Sequence, residues 1–244
     1  MVKKLLIIGD GESKITLADV ARFGIGEVRN LTLAEFNRLD EFESSIIMKG
    51  LVETSDFMRR VLEINKSFGG GFISHCGVFK RADQAPFIVT DSALNIAPTL
   101  RDKEGITKNA VLLSRRLKLC DSPVVNFITP SSKIVANIKS SVDACYLESF
   151  IRENFPDIKA THNALDVCFT DSAKLKNIED SPRPDILVCD NIDQGNALYK
   201  ALTVFGGFMT AGFVVGNEKM PPVILTSRSD SLESKLWSVE LSSL

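Results

Sequence analysis

Short apolar runs alternate along the chain with segments in which apolar side chains recur every three or four residues. Leu5–Ile8, Ser45–Met48, Phe87–Thr90, Val124–Ile128, Leu165–Phe169, Ile186–Cys189, Phe213–Val215 and Val223–Leu225 are brief runs rich in Ile, Val and Phe. They read as strands buried on both faces. Between them, Phe57, Met58, Val61 and Leu62 share one helical face. Ile106, Ala110, Leu113 and Leu117 share another, Val142, Cys145, Tyr146, Ser149 and Phe150 a third, and Leu198, Ala201, Leu202 and Phe205 a fourth. Strand-then-helix repetition predicts an α/β fold with helices covering a mostly parallel sheet. Phe72–Phe79 and Phe87–Thr90, joined by a polar stretch, read instead as an antiparallel hairpin.

Two breaks punctuate this pattern most strongly, the glycine run Gly69–Gly71 and the double proline Pro221-Pro222. Both read as crossings between structural units, and 244 residues suit one large or two small domains. Composition is that of an ordinary globular protein. With 29 basic and 31 acidic side chains the formal net charge is −2, too weak a field to recruit nucleic acid or an anionic membrane by bulk charge. Five cysteines at scattered spacings, with no C-x-x-C pair, fit reduced and mostly buried thiols rather than zinc or disulfide chemistry. The apolar run after Lys3-Lys4 is too short for a secretory signal, and Ala201–Asn217, the longest uncharged stretch, holds four glycines and is too short to span a bilayer. The expectation is a cytoplasmic protein.

Candidate chemistry sits at the ends of the predicted strands. Gly9-Asp10-Gly11 lacks the third glycine of a dinucleotide fingerprint, because position 14 is lysine, and reads as a plain turn. Ser74 and His75 lie on a strand beside glycines, where His75 is either a ligand contact or a hydrogen-bonded core histidine. Its neighbour Cys76 points to the opposite face and reads as a small core residue. Asp91 and Asn95 directly follow a strand, the place where open α/β sheets receive ligands, although local features favour a capped turn before Pro98. Asn191–Asn196 opens a helix carrying Tyr199 and Lys200. Its first turn offers backbone N–H groups to an anion, and Lys200 would add charge; the plain alternative is an Asx-capped helix with a solvated lysine. Thr226-Ser227-Arg228-Ser229-Asp230-Ser231 is the sharpest feature. Hydroxyls and an arginine fork at a strand end make an anion cradle, and Ser229 or Asp230, supported by Glu233, would also cap the last helix.

The segments Val188–Lys200, Ala211–Gly216 and Pro222–Ser231 resemble the C-terminal signature of the phosphate acetyl/butyryltransferases. Upstream, Ile47–Gly50, Ser74-His75 with Val78-Phe79, Thr90–Pro98 and the helix Asn109–Leu117 follow the butyryltransferase branch in the same order. The resemblance spans nearly the whole chain and implies a two-domain, three-layer α/β/α protein of isocitrate/isopropylmalate dehydrogenase-like architecture, mostly parallel in its sheets and usually dimeric. One domain would comprise residues 1–70 plus 222–244 and the other 71–221, with a cleft between them. The implied reaction exchanges a short-chain acyl group between coenzyme A and inorganic phosphate, with no metal or bound cofactor and coenzyme A as substrate. By the same resemblance Ser227 and Arg228 would stabilise the oxyanion and thiolate; Asp230, a candidate by its position beside them, would orient Arg228 or act as base. An arginine neighbour would hold Asp230's pKa low. Thr226, Asn196, Lys200, Asp91, Asn95, Ser74, His75 and Lys49 would contact substrate. The resemblance also implies a leading segment shorter than usual, which raises the alternative of a catalytically silent paralogue that binds coenzyme A or serves in assembly. Where the family has Gly-Pro-Leu, the chain reads Thr161-His162-Asn163.

Overall fold

The computed structural model describes residues 3–9, 14–82, 84–170, 174, 176, 178, 182–227 and 230–244. In chain order its main elements are β1 (Lys3–Ile8), α1 (Leu17–Val20), β2 (Ile25–Leu31), α2 (Leu33–Arg38), β3 (Ser45–Lys49), α3 (Thr54–Ser67), β4 (Ser74–Arg81) and β5 (Gln84–Thr90). There follow α4 (Leu100–Arg116), β6 (Val125–Ile128), α5 (Lys139–Asn154), β7 (Ala160–Asn163), α6 (Leu165–Phe169), β8 (Ile186–Val188), α7 (Ile192–Lys200), β9 (Met209–Val215), β10 (Val223–Ile224) and α8 (Leu232–Ser242). Among the described residues the ten strands form one sheet in the order β2-β1-β3-β10-β9-β4-β5-β8-β6-β7.

Two parallel sets, β2-β1-β3-β10 and β5-β8-β6-β7, flank an antiparallel centre in which β9 and β4 pair with each other and with the neighbouring ends of both sets. The register decides where the site can be. Ile224 pairs with Phe213, Phe213 with Cys76, and Cys76 with Thr90, which in turn pairs with Val188. The last residues of β10, β5 and β8 therefore lie on one line across the sheet, although β10 runs opposite to the other two. Each parallel set ends at that line from its own side. The loops after all three strands meet there, at the carboxyl ends where α/β sheets bind ligands.

Both faces of the sheet are covered. On β1, Leu5 and Ile7 join a core with Val20 of α1, Ile106 of α4, Leu147 of α5 and Val239 of α8, whereas Leu6 and Ile8 pack with Phe36 of α2 and Phe57 of α3. Burial on both faces is why the central strands read as unbroken apolar runs. The three-layer α/β/α architecture and the hairpin β4–β5 agree with the sequence reading. The chain crosses between the halves at Gly69–Gly71 and at Pro221-Pro222, and the sheet continues unbroken past both crossings.

Some sequence expectations fail for physical reasons. Leu165–Phe169 is a helix and not a strand. A five-residue apolar run has no period long enough to separate the two, and the polar β7 just before it already fills the sheet edge. The strands β2 and β7 escaped notice because they are the two edge strands, where polar residues replace an apolar run. On α3 the buried face runs through Ile64, leaving Leu62 exposed. On α5 the buried face is Ser141, Ala144, Leu147, Phe150 and Ile151, so Val142 and Tyr146 are exposed. Phe205 also turns outward, because a π-helical turn over Ala201–Phe205 changes the period after α7.

His162 on β7 has its Nδ1 2.6 Å from Glu148 Oε1 on α5, and the hydrogen bond to Glu148 raises its pKa above the usual imidazole value. A raised imidazole pKa stabilises the fold most below its unfolded value of about 6.5, and the gain is lost as pH rises through the folded value. His162→Gln is therefore expected to lower the urea unfolding midpoint at about pH 5.5 and to match the wild type at about pH 9. A midpoint difference independent of pH would refute this.

Candidate functional site

The line on which the strands end is closed by a turn after β10. Leu225 extends the strand by donating its N–H to Gly212 O at 2.9 Å. Thr226 is buried. The Asp230 N–H then donates to Ser227 O at 3.1 Å, and the Ser227 N–H donates to Asp230 Oδ2 at 2.7 Å, so the two residues close the turn reciprocally. Arg228 and Ser229, both central to the sequence expectation, lie outside the described residues. The helix that follows is capped by Ser231, whose Oγ accepts the Ser234 N–H at 3.1 Å, and not by Asp230. Asp230 instead faces inward, and burial raises its carboxyl pKa above the usual range, opposite to the lowering expected from an arginine neighbour.

The second wall is α7. Tyr199 donates its hydroxyl to Asp230 Oδ2 at 3.3 Å, and Lys200 Nζ donates to Ser227 Oγ at 3.1 Å. Burial raises the Tyr199 phenol, so it is a neutral donor. Two consecutive helix residues thus grip the two ends of the turn. They reach it because α7 lies very close to the loop after β5: a Cβ on Gly195 would stand 2.1 Å from the Asp91 carbonyl oxygen. Asn191 caps α7 by accepting the Gln194 N–H at 3.0 Å, and Asn196 Nδ2 donates to Ser92 O at 3.3 Å. Gly195→Ala must push α7 off this loop. A displacement of about 1 Å at a reacting centre costs on the order of 10²-fold. We expect that loss in kcat/KM together with a lower unfolding midpoint, because the clash is with backbone atoms; unchanged kinetics in a folded variant would contradict the packing argument.

The root of α7 is held by charge. Lys103 on α4 is only 2% exposed, and its ammonium reaches Asp143 Oδ2 of α5 at 2.7 Å and also Asp190, the residue before the Asn191 cap. Burial alone would raise the Asp143 carboxyl, but hydrogen bonds from Lys103 and Lys139 outweigh it and hold the pKa below the usual value.

The expected contacts from the first wall are mostly internal. Asp91 is 2% exposed; its Oδ1 accepts the Ala93 and Leu94 N–H groups at 2.8 and 2.9 Å, and its Oδ2 accepts from the His75 N–H at 3.1 Å and Asn95 Nδ2 at 2.5 Å. It fastens the loop, as a capped turn would. Asn95 Nδ2 also donates to Ile73 O at 3.1 Å. His75 is the hydrogen-bonded core histidine: Ser92 Oγ donates to Nδ1 at 2.8 Å, and Nε2 faces Leu225 O at 3.4 Å. Burial lowers its pKa and keeps the ring neutral. Ser74 points to the other face of β4, where its Oγ accepts from Asn109 Nδ2 at 3.0 Å. It is therefore buried against α4 and does not face the turn. Burial pushes the thiols of Cys76, Cys168 and Cys189 up to about 12, which removes them as nucleophiles.

In front of the turn lies a cavity of about 320 Å³, at the carboxyl ends of β1, β2, β3 and β10. Lys49, Thr226, Ser227 and Asp230 line it, as expected, and so do Lys14, Asn30 and Lys235. Three lysines and one carboxylate give its lining an excess of positive charge, which favours an anion. Lys49 is 5% exposed and donates to Gly50 O at 3.2 Å. The sequence reading missed Lys14, Asn30, Lys235 and the role of Tyr199. Lys14 was visible only as the residue spoiling a glycine fingerprint, and Lys235 only as an ordinary first-turn helix residue.

Residues 27–242 match the family model described as Phosphate acetyl/butaryl transferase. The chain belongs to that family. It is 32% identical to the phosphate butyryltransferase of Clostridium beijerinckii, covering 100% of this chain and 84% of that protein. It is also 32% identical to the phosphate acetyltransferase of Rickettsia typhi, over 82% of this chain and 59% of the relative. A branched-chain phosphotransacylase structure from Enterococcus faecalis superposes with a TM-score of 0.82 at 23% identity, covering 98% of this chain and 97% of the other. A β-decarboxylating dehydrogenase from Thermococcus kodakarensis shares the fold at a TM-score of 0.54 and 12% identity, covering 99% of this chain and 81% of the other. The phosphate acyltransferase family is thus the setting in which the turn, α7 and the lysine-lined cavity are to be understood. No helix among the described residues is long and apolar enough to cross a membrane.

Proposed function

We propose that the protein transfers a short-chain acyl group between coenzyme A and inorganic phosphate at the Ser227–Asp230 turn. The observation that carries this reading is the Lys200–Ser227 contact of 3.1 Å beside a cavity lined by Lys14, Lys49 and Lys235. A phosphate oxygen attacks the thioester carbonyl carbon, and the carbonyl electron pair moves onto oxygen. When the tetrahedral oxyanion collapses the C–S bond breaks, and its electron pair leaves on sulfur as the thiolate. Lys200 donates to Ser227 Oγ, which holds the serine and a cation together where the oxyanion or phosphate would sit. Arg228, placed by the family resemblance beside Ser227, supplies a second cation for phosphate or thiolate. The raised Asp230 pKa fits a carboxyl that takes up a proton on substrate binding better than one locked in an ion pair. Asn196, Asp91, Asn95 and His75 shape the cleft in this reading, and Lys49 and Thr226 contact substrate. Coenzyme A is a substrate and no resident cofactor is required. We place the enzyme in the cytoplasm as a homodimer, with the cleft between lobes 1–70 plus 222–244 and 71–221. A silent assembly role is not favoured, because the relatives matched over most of their length are named as transferases.

The test is thiol release from acetyl-CoA and butyryl-CoA with and without phosphate, repeated with Arg228→Ala. Phosphate-dependent release, reduced on the order of 10²-fold or more in the variant, is expected. Release from neither thioester, or the same rate without phosphate, would refute the reading.

A further inference from the structure

A second cavity, of about 270 Å³, lies at the other end of β10. Val223 and Pro222 line it where the strand begins, whereas Thr226, just past the strand's far end, lines the anion site. Its walls are apolar side chains of three elements: Leu113 and Leu117 at the end of α4, Phe213 and Val215 of β9, and Leu241 near the end of α8. Arg116, the last residue of α4, stands on this wall. A cation at a helix C-terminus is ordinary. This one is exposed at the cavity's edge and makes no hydrogen bond or ion pair with any described residue. Glu218 and the terminal residue Leu244 also line the wall, and neither forms an ion pair with Arg116. A guanidinium without a counterion at the edge of an apolar hole is matched by a ligand with an anionic head and a hydrocarbon tail.

We propose that this cavity binds a linear aliphatic carboxylate, its chain among the leucines and Phe213 and its carboxylate on Arg116. The inference is independent of the acyl transfer reading, since no residue lining this cavity lines the anion site. Isothermal titration with butyrate, hexanoate and octanoate tests it, with 1-octanol as the uncharged control. Each added methylene is expected to tighten binding about fourfold. Octanoate is expected to bind at least about tenfold more tightly than octanol, as a charge-assisted hydrogen bond implies. Arg116→Gln, a change at an exposed position, should abolish that difference while leaving transferase activity unchanged, and Lys200→Ala should leave octanoate binding intact. Absence of saturable octanoate binding, equal affinity for acid and alcohol in the wild type, or binding lost in Lys200→Ala but retained in Arg116→Gln would each overturn the proposal. The last outcome would place the ligand in the catalytic cleft.

Discussion

Lys200→Ala is expected to lower kcat/KM for acyl transfer by about 10²–10³-fold, the effect of removing one preorganised donor from a site of developing negative charge. Lys200 gives the turn two things. It donates to Ser227 Oγ at 3.1 Å, and it brings a cation to the place where phosphate and the oxyanion must both be held. Tyr199 fixes the other end of the same turn through Asp230, so the turn itself should survive the substitution. The loss should therefore fall mainly on kcat and on the KM for phosphate, and little on stability. Lys200→Arg keeps the charge but not the reach of a point ammonium, and should recover only part of the activity. Ser227→Ala alone should cost less than Lys200→Ala, and the double variant little more than Lys200→Ala, because the two groups act through one contact. Fully additive losses would show that Lys200 works apart from Ser227.

The largest stability effect is expected at Lys103. Its ammonium is buried between Asp143 and Asp190; without it Asp143 keeps Lys139, but Asp190 loses its ion-pair partner, and a charge left uncompensated in a buried pair costs about 3–5 kcal/mol. Lys103→Met keeps the packing volume and should lower the unfolding free energy by that amount, read as a lower denaturant midpoint at constant m-value. Adding Asp190→Asn removes one orphaned charge and should restore part of the loss. If Lys103→Met alone is neutral, the triad is not what anchors α7. Because Asp190 precedes the cap of α7, the variant should also show weaker phosphate binding than its residual fold would suggest.

The central half of this fold was legible in the sequence, because strands covered on both faces must be apolar throughout. The edges were not, since β2 and β7 answer to solvent as well as to the core. Helix faces were read correctly where packing alone sets them, as on α4. They were misread on α5, where Asp143 must turn toward Lys103 and rotates the buried stripe. The same division holds at the site. Ser227, Asp230 and Lys200 were visible because hydroxyls, acids and lysines at strand and helix ends suggest anion chemistry. The internal roles of Asp91, His75 and Ser74 were not, because a short stretch of sequence does not reveal whether a polar atom is satisfied by a backbone N–H sixteen residues away, as His75 N–H satisfies Asp91. The anion site drew Lys14 and Lys235 from segments far apart in the chain, and only the sheet register brings them together.

The central claim is that phosphate and coenzyme A meet at the Ser227–Asp230 turn under Lys200. A crystal structure of the protein grown with both ligands tests it most directly. The account expects phosphate within hydrogen-bonding distance of Lys200 Nζ or Ser227 Oγ, with the coenzyme A sulfur beside it and the rest of that substrate running toward Lys14, Lys49 and Lys235. Phosphate and sulfur found together elsewhere, with the turn unoccupied, would contradict it.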